Sequence, residues 1–331
     1  MSSIGQISGV NVSGGYNSIN ENNVSNLNGV SVKENIGVTL EISNANVEGV
    51  VIKKNSMAKA VGGTVFTMAL SQSEMVEMQN CLQTLGFLDS FIGFDENNAT
   101  LKKAVRNFQK TYNISENGII NTNTKNKLRT IYSRYSELNH SEEMDEIGKK
   151  FYHGSDLSQR DSFIKTFIFL EDMGLSKAQI AGVMGNMHAE SGIIPDNLED
   201  PNCVEHEPTY ALQYSTGDYI GFGLLQWTDP GRKSGLLTMA QSMAFGNTNQ
   251  DIADALNNIN VQLAYFRQEM TTTEIPNVNY ISSWSKILSS SSYSQVSNIF
   301  LEEIEQPSNI QEKYATRSQY AGWIYDIMGT I

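Results

Sequence analysis

Residues 174–198, GLSKAQIAGVMGNMHAESGIIPDNL, decide the fold of the carboxyl-terminal half of this 331-residue chain. Gly174 breaks the preceding apolar pattern, and Ser176 stands where a helix N-cap belongs. Apolar residues then recur at helical spacing, at Ile180, Val183, Met184 and Met187. At about 100° per residue, Glu190 points close to the direction of Val183. The stretch therefore predicts a helix that aims a carboxyl group at the apolar side of its domain.

The position of Glu190 suits a proton donor. A carboxyl group on a half-buried helix end is desolvated, which raises its pKa and keeps it protonated. Cleavage of a glycosidic bond needs such an acid beside the leaving oxygen. On this helix alone, an exposed glutamate without a role is the commoner interpretation. His188 points roughly opposite, so the two are not paired. A separate strip of small residues suits close helix contact and consists of Gly182, Gly185 and Ala189.

Two further segments change that interpretation of Glu190. Residues 221–237 are GFGLLQWTDPGRKSGLL, and residues 301–325 are LEEIEQPSNIQEKYATRSQYAGWIY. With residues 174–198 they resemble the phage-tail lysozyme family of the lysozyme-like superfamily. In that family a helix ends in Glu-Ser-Gly, and a Gly-x-x-Gln-Trp-Thr segment returns to line the cleft. The resemblance spans about residues 151–331. It implies a mainly α domain with a small irregular or β lobe, in which Glu190 is the general acid.

The returning segment supplies the expected substrate contacts. The resemblance places Gln226 and Trp227 on the cleft wall. An amide such as Gln226 can bind sugar N-acetyl or hydroxyl groups. The indole of Trp227 offers a stacking face, and a core indole with an internally bonded N–H is the alternative. Gly223 lets the backbone approach substrate closely. Tyr219 and Phe222 are assigned to substrate binding with the same alternative of burial in the core.

A two-carboxylate glycosidase also needs a second acidic group, which acts as nucleophile or activates water. Asp218 is favoured because it immediately precedes the segment that should return beside Glu190, and Asp200 is the next choice. For any single acidic residue of the lobe, a solvated charge is the commoner role. Some lysozyme-like transglycosylases use one catalytic acid, and the substrate's own 6-hydroxyl attacks to give an anhydro product. Hydrolysis and transglycosylation both fit the sequence.

A smaller helical module is predicted at residues 71–131. Apolar residues there recur at spacings of three and four, first at Met75, Met78, Leu82 and Leu85 and again at Leu101, Ala104, Val105 and Phe108. The segment resembles the common three-helix peptidoglycan-binding domain, on markers that include Gln79, Leu85-Gly86-Phe87, Phe108-Gln109, Gly118 and Thr124. It departs from that domain at residues 91–94, Phe-Ile-Gly-Phe, where an Asp-Gly turn is usual. The resemblance implies wall binding, and a spacer or docking unit is the alternative.

Residues 1–70 and 132–150 complete the chain. The first segment is rich in Asn, Ser, Gly and Val and nearly lacks aromatics, which is too little apolar surface for an independent core. It is predicted to be a flexible or docking arm, disordered in isolation. Segments 37–42 and 47–52 would form strands if a particle or envelope partner supplied the other face. Residues 132–150 carry several acidic residues and are predicted to be a linker, in part helical.

Charge and composition exclude several classes of protein. A formal net charge of -13 argues against non-specific nucleic-acid binding. No HExxH or paired CxxC pattern is present, so neither a metal site nor a cofactor is expected. Cys81 and Cys203 lie far apart in sequence and are expected to be free thiols. The longest apolar stretch, residues 57–70, is too short and too interrupted to be a transmembrane segment.

The amino terminus lacks the basic and apolar regions of a signal peptide. The protein is therefore expected to be made in the cytoplasm. It would reach the cell wall after lysis, in a particle or by another export route.

Two other classes of function stay open. Cys203, Glu205 and His206 cluster in the lobe and would suit a wall endopeptidase, although a nucleophile and its histidine usually come from distant segments. A non-enzymatic wall-binding protein would leave Glu190 dispensable, and a buried carboxyl group without a role costs stability. The sequence therefore favours a muramidase that cleaves the glycan strands of peptidoglycan.

Overall fold

The computed structural model describes residues 3–7, 10–13, 38–42, 50–54, 64–66, 70–151, 157–199, 206–275 and 278–329. The chain divides into two compact units, Met1–Ser73 and Glu74–Ile331. Helices make up most of the second unit, so the prediction of a mainly α protein is confirmed.

The first unit contains short antiparallel strands. Strand β1 (Ser3–Ile7) pairs with β2 (Val10–Ser13). Strand β3 (Val38–Ile42) lies between β4 (Val50–Lys54) and β5 (Thr64–Phe66). The segments 37–42 and 47–52 that the sequence marked as strand-forming overlap β3 and β4. These two strands pair with each other along their edges.

Three helices form the module at the start of the second unit. They are α1 (Gln72–Thr84), α2 (Ala99–Thr111) and α3 (Thr122–Asn139). The apolar residues whose spacing predicted the first two helices are buried, which confirms that they form the inner faces of these helices. Helix α3 runs past residue 131, and α4 (Glu142–Phe151) follows it closely. The predicted linker at 132–150 is therefore helical over most of its length.

The remaining helices precede and follow α6 (Lys177–Ser191) along the chain. They are α5 (Leu157–Asp172), α7 (Pro230–Met243), α8 (Asn249–Leu256), α9 (Ile259–Thr271), α10 (Ile281–Ser289), α11 (Tyr293–Phe300) and α12 (Ile310–Met328). A π-helical turn, Leu301–Glu305, follows α11 directly. The lobe between α6 and α7 is irregular, with a 3-10 turn at Pro208–Gln213 and isolated bridges that pair Asn197 with His206 and Leu198 with Phe222.

The three-helix module packs directly against the carboxyl-terminal half. The Asn107 side chain donates to the carbonyl of Met243 at 2.7 Å. The Asn260 side chain donates to the carbonyl of Leu85 at 2.9 Å, and both amides are buried. Buried polar groups are normally hydrogen-bonded, so these two bonds hold the module in a defined position against the carboxyl-terminal half.

Helix α6 is the centre of the carboxyl-terminal half. Ser176 and Gln179 form a capping box at its start, which confirms the predicted N-cap. Gly182 and Gly185 let two neighbours approach its backbone closely. A Cβ at Gly182 would lie 2.6 Å from the Val296 side chain of α11, and one at Gly185 would lie 2.6 Å from a backbone nitrogen of α12. The small-residue strip therefore serves close helix contact, as predicted.

We expect Gly185→Ala to destabilise the protein by about 1–3 kcal/mol, because the new methyl group meets the backbone of α12 and not a movable side chain. Denaturant unfolding measures the change. Gly217→Ala is the matched control, since its Cβ would have no neighbour within 4 Å. Equal stability of the two variants would contradict the close packing of α6 and α12.

Candidate active site

Glu190 lies in the last turn of α6, with 15% of its side chain exposed. The guanidinium of Arg317, on α12, donates to Glu190 Oε1. Arg317 is itself buried, and its Nη1 also donates to the carbonyl of Asn186 at 3.1 Å. Glu190 is thus held in place by a buried cation from the neighbouring helix.

A second ion pair lies deeper in the core. Arg232 donates to Glu269 from Nε at 2.7 Å and from Nη2 at 3.1 Å. The indole N–H of Trp227 donates to the same carboxylate at 2.9 Å. Burial lowers the pKa of Arg232, but the charge and hydrogen bonds of Glu269 outweigh burial and raise it. Both oxygens of Glu269 therefore accept hydrogen bonds within the core.

Glu305, which ends the π-helical turn, is the third acidic residue of this region. Its Oε1 is buried and has no hydrogen-bond partner among the described residues. Burial and the charge of Glu190 raise the pKa of Glu305 to about 8, although Arg317 and Arg232 act in the opposite direction. The sequence analysis missed this residue. The available signal was its place in the third family-like segment, directly after the apolar Ile304.

Asp218 belongs to a different network, within the lobe and α7. The buried ammonium of Lys233 and the hydroxyl of Tyr210 both donate to its carboxylate, as does the backbone N–H of Ile220. Burial raises the pKa of Asp218, but the bonds from Lys233 and Tyr210 outweigh it and lower the pKa. The structure accounts for Asp218 as the counter-ion of Lys233, and its described contacts do not include Glu190. The alternative choice, Asp200, lies outside the described residues.

The predicted substrate-contact residues divide into two groups. Tyr219 is 66% exposed and stands at a positive φ of 59°. Gln226 is half-buried, and its amide nitrogen donates to the carbonyl of Gly223 at 3.0 Å. Trp227 and Phe222 are completely buried, so neither ring offers a face to a sugar. For Trp227 the expected place on the cleft wall, and for Phe222 the expected substrate contact, are corrected to a place in the core. The indole N–H of Trp227 is satisfied internally by Glu269.

Gly223 has a different use from the one predicted. Its φ is 76°, and a Cβ there would lie 2.6 Å from the Gln262 side chain. The amide of Gln262 accepts from the backbone N–H of Leu224 and donates to the carbonyl of Leu256. The close approach at Gly223 is therefore made by a side chain of α9.

The described contacts of His188 and His206 are made with residues other than Glu190. His188 packs against the rings of Phe151 and Tyr320. His206 lies with Nδ1 2.6 Å from Asp196 Oδ1 and with Nε2 3.0 Å from Ser158 Oγ. Cys203 and Glu205, its predicted neighbours, lie outside the described residues.

Two negative findings apply to the described part of the chain. No group of three His, Cys, Asp or Glu side chains there is placed to hold a metal ion. Within the same ranges, no helix combines the length and apolar character that a membrane span requires.

Comparison with known families gives the class of protein, a lysozyme-like protein of peptidoglycan degradation. The family model for phage tail lysozyme matches residues 163–328, and the model for a peptidoglycan binding domain matches residues 71–128. The chain belongs to the phage tail lysozyme family, and both resemblances drawn from the sequence are confirmed. No curated protein and no solved structure gives a significant match.

We expect Asp218→Asn to destabilise the fold by about 1–3 kcal/mol at neutral pH, because it leaves the buried Lys233 ammonium without its counter-charge. The lowered pKa means that this contribution is present above the unfolded carboxyl pKa, near 4. It is lost as pH falls through the folded pKa. Denaturant unfolding at pH 7 and pH 3 measures the difference between variant and wild type, which should shrink at pH 3. Glu116→Gln, at a more exposed pair with Lys110, is the control. An equal effect of the two variants at pH 7 would contradict this role of Asp218.

Proposed function

We propose that this protein cleaves the glycan strands of peptidoglycan and that Glu190 delivers the proton to the glycosidic oxygen. The observation that carries the proposal is the position of Glu190 at the partly buried end of α6, within the residues that the family model matches. Breaking the bond between C1 and the bridging oxygen leaves an electron pair on that oxygen, which needs a proton. The proposed place of action is the cell wall, reached after lysis or in a particle.

We expect Glu190→Gln to lower the rate of wall lysis by about 10²- to 10⁴-fold, the usual contribution of a general acid. The amide oxygen can still accept from Arg317, so the fold should persist. Turbidity of a sacculus suspension measures lysis, and circular dichroism checks folding. Glu137→Gln, at an exposed residue of α3, is the matched control. Wild-type lysis by the Glu190 variant would remove Glu190 from the mechanism.

The same digests distinguish hydrolysis from transglycosylation. A hydrolase adds water to C1 and releases new reducing ends. A lytic transglycosylase joins the substrate's 6-hydroxyl to C1 and releases anhydro ends. Mass spectrometry separates the two products by the mass of one water. We propose hydrolysis as the first choice.

The three-helix module is proposed to hold the enzyme on the wall. Phe91 and Phe94 are 43% and 50% exposed, and their ring centroids lie 5.3 Å apart in the loop that departs from the family. Gln79 fixes this loop, because its amide donates to the carbonyl of Gly93 and accepts from Ile92. Exposed aromatic rings are suited to stacking on sugars.

We expect the double variant Phe91→Ser and Phe94→Ser to bind sacculi about tenfold less tightly, the equivalent of about 1.4 kcal/mol. Cleavage of soluble glycan fragments should stay unchanged, because the loop lies outside the site at Glu190. Co-sedimentation measures binding. Phe245→Ser removes an exposed ring outside the module and serves as control. Unchanged sedimentation of the double variant would assign wall binding to another surface.

Cleavage of the peptide stems is a second candidate function, and one observation favours it. Ser158, His206 and Asp196 form a hydrogen-bonded chain and line one surface pocket. In acyl-transfer enzymes, a histidine held by a carboxylate takes the proton of a serine hydroxyl. Release of new free amines by wild type and its loss in Ser158→Ala would support this function. Digests with new sugar ends and no new amines would exclude it.

A further inference from the structure

The irregular lobe presents two hydrogen-bond acceptors on one face of Gly221. A Cβ at Gly221 would lie 2.9 Å from Gln226 Oε1 and 3.1 Å from Glu199 Oε2. Both oxygens therefore lie within 3.1 Å of one point. Gln226 is half-buried and Glu199 is exposed, so the pair belongs to the protein surface. Because Gly221 has no side chain, no Cβ fills the space between the two oxygens.

Local hydrogen bonds hold both oxygens in this arrangement. The backbone N–H of Glu199 donates to the carbonyl of Gly221 at 2.8 Å, and the N–H of Gly221 donates to Glu199 Oε2 at 2.9 Å. The amide nitrogen of Gln226 donates to the carbonyls of Asn197 and Gly223, at 3.2 and 3.0 Å. Because these two bonds orient the amide nitrogen, the amide oxygen faces Gly221.

The two oxygens have spare capacity to accept hydrogen bonds. Within the part of the chain that the structure describes, no group donates to Gln226 Oε1. Glu199 Oε2 accepts from the N–H of Gly221, and a carboxylate oxygen can accept a second bond. Two neighbouring acceptors of this kind are suited to a ligand that brings two donors.

The acceptor pair lies on a segment that contacts the end of α6. Ser191, the residue after Glu190, donates from its buried hydroxyl to the carbonyl of Leu224 at 3.0 Å. Leu224 lies between Gly221 and Gln226 in the sequence. The two segments are thus in direct contact, which places the acceptor pair in the same part of the domain as Glu190.

We propose that Glu199, Gly221 and Gln226 form a subsite that binds N-acetylglucosamine of the glycan strand and discriminates against N-acetylmuramic acid. The proposal rests on the function proposed above. N-acetylglucosamine carries two neighbouring donors, the acetamido N–H at C2 and the hydroxyl at C3, one for each acceptor. In N-acetylmuramic acid a lactyl ether replaces the C3 hydroxyl, so that donor is lost. A site built to bond a donor rejects the analogue that lacks it.

The test measures binding of tri-N-acetylglucosamine by isothermal titration calorimetry, with Glu190→Gln as the common background. We expect Gly221→Ala to weaken binding about tenfold or more, because its methyl group lies between the two acceptor oxygens. Glu199→Ala removes one acceptor and should weaken binding about tenfold. N-acetylglucosamine should compete with the trimer, and N-acetylmuramic acid should not. Glu207→Ala, at an exposed acidic residue of the same lobe, is the control and should bind as the background does.

Thermal unfolding separates lost binding from lost folding, and Glu199→Ala provides the result if Gly221→Ala does not fold. Unchanged affinity of the folded variants would overturn the proposal. So would equal competition by the two monosaccharides, or no binding of the trimer to the Glu190→Gln background. Wild-type wall lysis by Glu190→Gln would instead overturn the proposed function, and the binding results do not depend on that measurement.

Discussion

The active site depends on how closely α12 approaches α6. The backbone of α12 at Ala321 lies against Gly185, where any side chain would collide. Arg317 precedes Ala321 by one helical turn, so the same approach brings its guanidinium to Asn186 and Glu190. A wider separation would leave the carboxyl group of Glu190 at a helix end without its cation. The contact between Gly185 and the backbone of α12 therefore determines how the two helices pack and also places the charge of Arg317 beside Glu190.

Features that depend on neighbours in sequence could be predicted well. The start of α6 follows from the capping box of Ser176 and Gln179, and its inner face follows from apolar spacing. The module's first two helices follow from the same periodicity. The position of Glu190 at the partly buried end of its helix is a consequence of that local pattern, and the structure places it there.

Features that depend on pairing through space could not be predicted from the chain. The role of Trp227 is decided by Glu269, 42 residues further on, which accepts its N–H. Asp218 accepts from Lys233, which is buried away from water and so depends on this carboxylate as its counter-ion. In each case the sequence shows which polar or charged group the residue carries, but not which residue that group will bond with.

The direct packing of the module has a consequence for how the enzyme meets the wall. A module on a long flexible linker would raise the local concentration of substrate over a wide area. Here buried amides at Asn107 and Asn260 join the module to the domain that carries Glu190. Under the proposed function, the wall-binding loop and the acid then stand at a constant distance. The enzyme would cut the bond that lies at that distance from the bound stretch of glycan, so the packing of the module would set the position of the cut.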